Sequence, residues 1–184
     1  MNWKSIAAAI CLPVMFSLPL TAQTADEADE SVLLEQLAEA DQIESMRIAR
    51  QLDALWSKSG SASIDLLLKR GKDALQAQDT AAAIEHLTAL TDHAPDFAEG
   101  WHVRASAYFA ADLYGPAMAD LERALALNPS NYNALFGLGS ILEIFGDKER
   151  AYEVYLRVQA IHPHHEQVAT ALERLESEIR GMSL

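Results

Sequence analysis

Pro95, Pro129 and Pro163 recur every 34 residues, and that interval constrains the fold more than any other feature of the chain. Aligning the segments on these prolines brings other positions into register. A small residue stands at Gly71, Ala105 and Gly139, an alanine at Ala83, Ala117 and Ala151, and a bulky residue at Leu87, Leu121 and Tyr155. A fixed period of this length is the mark of a stacked array, in which each supersecondary unit buries its apolar face on its neighbours.

Each unit divides into two helical patterns. They are predicted at 64–77 with 80–93, at 98–111 with 116–127, and at 132–145 with 148–161. Gln78-Asp79 and Gly146-Asp147 read as the inner turns, with Thr80 as an N-cap for its helix. Pro116 falls in the first turn of its helix, where a missing N–H costs nothing. Each recurring proline lies just past the second helix and ends the hairpin.

The flanks also carry helical signals. Asp41 and Glu44 have the spacing of a capping box. After them Ile43, Met46, Ala49, Leu52, Leu55 and Trp56 recur at three- and four-residue steps. Residues 31–60 are therefore predicted to form a helical hairpin that docks on the first repeat and caps it. Beyond Pro163, Val168, Ala171, Leu172 and Leu175 form the inner stripe of a closing helix over 166–181, stopped at Gly181.

The N-terminus reads differently. Lys4 precedes an apolar run over 6–20, which is too short to cross a bilayer as a helix, and Thr21-Ala22 offers small residues for cleavage. Residues 1–22 are predicted to be a secretory signal peptide, which points to export and a bacterial periplasm, with no membrane span after cleavage. Residues 23–30 are acidic and without apolar period, as in a flexible tether. Cys11, in the leader, is the only cysteine, so the remaining chain has no disulfide and no thiolate chemistry. A formal charge of −13 disfavours nucleic acid as a partner.

The segment 64–165 resembles three tetratricopeptide repeats, whose pattern is W-x2-L-G-x2-Y, then A-x3-F, then P. The middle unit supplies Trp101, Arg104, Ala105, Tyr108, Ala117, Leu121 and Pro129. The last supplies Leu135, Leu138, Gly139, Leu142, Ala151, Tyr155 and Pro163, and the first Leu67, Arg70, Gly71, Ala74, Ala83, Leu87 and Pro95. Arg70 and Arg104 stand where a leucine is usual, and Ala74 where an aromatic is usual. The resemblance implies an all-α fold, a right-handed α-α superhelix with repeats at 64–97, 98–131 and 132–165.

It also implies a concave groove lined by the first helix of each hairpin. Carried onto this chain, the lining is Leu68, Lys72 and Leu75, then His102, Ser106 and Phe109, then Asn133, Phe136 and Ser140. That floor is mainly apolar, with Lys72 its one fixed positive charge. The subfamily that grips chaperone C-terminal carboxylates uses several Lys, Arg and Asn residues here, and this chain offers only Lys72 and Asn133.

No phosphate loop, nucleophile elbow or metal-ligand spacing occurs, and His162, His164 and His165 lack an accompanying ligand set. The expectation is a non-enzymatic scaffold, without cofactor or metal, that binds a peptide or helix of another protein in its groove. The competing reading is self-assembly, in which Leu33, Leu34 and Leu37 fill a neighbour's groove.

Overall fold

The protein is described by a computed structural model covering residues 20–182. The bulk of the expected signal peptide, residues 1–19, lies outside the described residues. Within them the chain is all-α, with no strand. Helices α1 (Leu20–Glu39) and α2 (Gln42–Trp56) precede three hairpins. These are α3 (Ala62–Gln76) with α4 (Thr80–His93), α5 (Ala98–Ala110) with α6 (Tyr114–Leu127), and α7 (Tyr132–Ile144) with α8 (Lys148–Ile161). α9 (Glu166–Met182) closes the array and continues through Gly181, the expected stop.

The inner turns repeat with the same period as the prolines. Gln78, Asp112 and Gly146 all adopt the left-handed conformation, at φ 60°, 59° and 79°. Glycine takes that conformation without strain, yet only the third turn uses it. In the first and third turns the next residue then caps the second helix. Asp79 accepts from the Ala82 amide and Asp147 from the Arg150 amide, so Asp79 fills the role expected of Thr80. Asp41 caps α2 by accepting from Ile43 and Glu44, while the Glu44 carboxylate turns outward to Arg47 rather than back over the cap.

Close helix approach explains the small residues of the period. A Cβ added at Gly71 would lie 2.5 Å from Leu87, and one at Gly139 would lie 2.5 Å from the Tyr155 ring. In the middle hairpin the corresponding pair, Ala105 and Leu121, is buried in one core cluster. Any side chain at Gly71 or Gly139, or one larger than alanine at position 105, would push the paired helices apart.

Two features of the N-terminal region differ from expectation. The segment 23–30 is helical, part of α1, and Glu30 within it accepts from Trp56 Nε1 at 2.7 Å and from Asn128 Nδ2 at 3.0 Å. These bonds fasten a segment that its composition marks as a tether. The second difference is where the hairpin docks. Leu37, Ile48, Leu52 and Trp56 join one core with residues of α7, α8 and α9, including Leu135, Tyr155 and Leu172. The hairpin therefore packs on the third repeat and the closing helix, not on the outer face of the first repeat. Lys69, Arg70, Asp73 and Gln76 make the outer face of α3 mostly polar and exposed, with Leu66 exposed among them.

Candidate functional site

Between α5 and α7 a depression of about 370 Å³ opens on one side of the array. Its walls are His102, Ala105, Ser106 and Phe109 from α5 and Asn133, Phe136, Gly137 and Ser140 from α7, with Leu121 of α6 at the floor. All six residues assigned to the groove from the middle and last units come together here.

The three from the first unit do not. Leu68 is buried in one core cluster of α3, α4 and α5 that also holds Val103 and Ala107, and Leu75 packs against the same cluster. Lys72 is not a free charge: its ammonium lies 2.8 Å from the Glu99 carboxylate and donates to the Ser57 hydroxyl at 2.9 Å. Glu99 is itself buried and also meets His102 Nδ1 at 3.0 Å. Burial pushes the Glu99 carboxyl up, but the bonds and charges of His102 and Lys72 outweigh it and hold its pKa below the ordinary value.

The polar groups on the wall are largely occupied. Ser106 and Ser140 donate to the carbonyls of His102 and Phe136, one turn back on their own helices. Asn133 Nδ2 donates to Asp53 of α2 at 3.0 Å. Phe136 stacks at an angle against Tyr155 and His165. With its hydroxyls turned into their helices, the depression presents mostly ring and methyl surface, bordered by His102 and Asn133.

Its depth has a specific cause that the repeat pattern concealed. Position 103 carries a valine, buried against the first repeat, and the equivalent position one period later is Gly137. The missing side chain leaves the space between α5 and α7 unfilled. A break in the period was the available signal, since Gly137 lies two residues from the glycine that the pattern does require. Ala105 and Leu121 serve twice, as close-packing residues and as wall.

His162 ends the last hairpin. It caps α8, is buried, and stacks on Tyr132 with ring centroids 5.2 Å apart. Burial and the neighbouring His165 and His164 lower its pKa to about 4, so the ring is neutral and adds no charge to the helix terminus. No group of three or more His, Cys, Asp or Glu side chains among the described residues is arranged to hold a metal ion.

The comparisons agree with this architecture. A tetratricopeptide repeat-containing protein of Rhizobium etli is 27% identical over 188 residues, covering 92% of each chain. The Bos taurus SGT1 homolog is 36% identical over 78 residues, which span 42% of this chain and 23% of that protein. The first repeat domain of Spaghetti (RPAP3), solved bound to an HSP90 peptide, superposes with a TM-score of 0.63 at 25% identity, covering 65% of this chain and 98% of that one. The family profile for the tetratricopeptide repeat matches residues 68–118 and 102–166, more than half of the sequence. The chain belongs to the tetratricopeptide repeat family.

Proposed function

We propose that this protein is a non-enzymatic scaffold that holds an apolar segment of another protein in the depression between α5 and α7. The observation that carries the reading is the space left by Gly137, walled by Phe109, Phe136 and Leu121. A preformed apolar concavity with a few polar groups at its border suits one or two bulky side chains of a peptide or helix. The Spaghetti domain holds a peptide that ends in Glu-Glu-Val-Asp. The cation that would meet such a carboxylate here, Lys72, is neutralised by Glu99 in the same chain. That contrast favours an apolar anchor over a terminal carboxylate.

Self-assembly through the N-terminal stripe is less well supported. Leu37 is buried in its own chain, with Leu33 and Leu34 packed against the same core, so the stripe is already in use. Export to a bacterial periplasm rests on Lys4, the apolar run over 6–20 and Thr21-Ala22. N-terminal sequencing of the protein from its host tests it: a start at Gln23 supports cleavage, and an intact Met1 removes it.

Affinity capture from the native host tests the groove, comparing the wild-type chain with Phe109→Ala and Gly137→Val. A partner lost with both variants supports the reading. Equal capture by all three removes the depression from consideration.

A further inference from the structure

A second apolar surface lies at the edge of the array, where the inner turns of the middle and last hairpins meet. Phe109, Leu113, Ile144 and Phe145 are 38%, 46%, 48% and 56% exposed, and Phe109 and Phe145 are the exposed large aromatics among the described residues. Phe109 and Phe145 belong to one patch, with Leu113 and Ile144 next to its rings in the chain. The Tyr114 ring meets Phe109 edge-on at 5.4 Å and Phe145 at 6.4 Å, bridging the two hairpins.

The scaffold does not call for these residues. One period earlier the positions of Leu113, Tyr114 and Phe145's predecessor in the middle unit read Asp79, Thr80 and Ala77, and one period after Leu113 stands Asp147. Asp79 and Asp147 cap their helices through the amide three residues on. At Leu113 that amide would belong to Pro116, which has none, so the cap is lost and the position is released from its structural duty. The leucine at that site makes no cap and leaves nearly half of its surface in water.

The charge around the patch selects its partner. The Asp112 carboxylate accepts only the Tyr114 hydroxyl, at 2.6 Å, and meets no cation among the described residues. The cations that follow Phe145 in the chain are already engaged, Lys148 with Glu178 and Arg150 with Asp147. The free charge at the rim is therefore negative, on a chain whose formal charge is −13. A second copy would bring the same rim and the same net charge, and would be repelled.

We propose that this turn-edge patch docks an amphipathic helix of a partner protein whose apolar stripe is flanked by lysine or arginine. The stripe covers Leu113, Tyr114 and Phe145, and the flanking cations meet Asp112. This surface is separate from the depression between α5 and α7, although Phe109 borders both.

The test uses the full chain and a fluorescent helical peptide with a leucine stripe flanked by lysines, beside a twin flanked by glutamates. Fluorescence anisotropy should show binding of the lysine peptide, and binding of the twin weaker by about tenfold or more. Leu113→Asp and Phe145→Gln should each weaken the lysine peptide by a similar factor, and Gly137→Val should leave it unchanged. Leu113→Asp is decisive, because it adds a negative charge: attraction by net charge alone would tighten the peptide, which overturns the proposal. Equal binding of both peptides also overturns it. So does loss with Gly137→Val alone, which would place the probe in the depression. A dimer in light scattering that Leu113→Asp dissociates would show a second copy to be the occupant instead.

Discussion

Arg104 and Asp120 form a paired, forked ion bridge inside the second hairpin, with Nε and Nη2 of the arginine 2.7 and 2.8 Å from the two carboxylate oxygens. Both side chains are nearly out of water. Arg104 Nη1 also donates to Thr91 of α4 at 2.7 Å, and its guanidinium lies over the Trp101 ring at 4.8 Å. A residue that departs from the family's usual leucine thus ties the first repeat to the second. The arginine recurs at Arg70, but its partner does not repeat, since His86 and Val154 hold the positions equivalent to Asp120.

Removing one member of this bridge leaves a charge stranded in the core. Asp120→Ala should destabilise the protein by about 3–5 kcal/mol in urea denaturation. The double variant Arg104→Leu with Asp120→Leu should recover most of that loss, because it restores an apolar contact without a stranded charge. A double variant as unstable as Asp120→Ala would show that packing, not charge burial, sets the cost.

The two nearby glycines of α7 should respond to alanine with opposite signs. At Gly139 the new methyl meets the Tyr155 ring at 2.5 Å, so Gly139→Ala should lower Tm. At Gly137 the nearest atoms are the Leu121 methyls at 3.4 Å, an ordinary contact. Gly137→Ala should therefore raise stability by about 0.5–1 kcal/mol through helix propensity, while making the depression shallower. Calorimetry of both variants checks the pair.

Capping gives a similar contrast. Asp147→Ala removes the acceptor for the Arg150 amide and should cost about 1 kcal/mol. Leu113→Asp should yield no equivalent gain, since Pro116 offers no amide to accept from. Chemical denaturation of the two variants, side by side, measures the difference.

Stability should fall on mild acidification, in part through His162. Its folded pKa of about 4 lies below the ordinary value of 6.5, so the unfolded chain takes up the proton first. This group therefore leaves stability unchanged above pH 6.5, lowers it as pH falls from 6.5 to about 4, and adds no further slope below. His162→Phe keeps a ring against Tyr132 and removes the titration. The difference between the two stability–pH curves should rise across that window and be flat outside it; a constant difference would mean that the folded ring titrates as it does in the unfolded chain.

The period of 34 was enough to place the scaffold. Pro95, Pro129 and Pro163 mark the hairpin ends, and Gly71, Ala105 and Gly139 mark the crossings, because local termination and close approach each demand a residue type that repeats. Boundaries came within two residues for most helices for the same reason. The middle and last thirds of the candidate groove were also readable, since helix geometry fixes which side chains share a face.

What lay beyond the sequence depends on contacts between segments far apart in the chain. Nothing local in Glu30 announces that Trp56 and Asn128 will hold it, or that the N-terminal hairpin will settle on the third repeat. Lys72 reads as a groove cation until Glu99, from the next repeat, neutralises it. The void beside Gly137 exists only because α5 and α7 meet there without a valine between them. Repeating residues are dictated by the neighbours that repeat with them, and so the sequence alone determined the array. The residues that do not repeat take their meaning from whatever folding brings against them, and only the tertiary structure decided that.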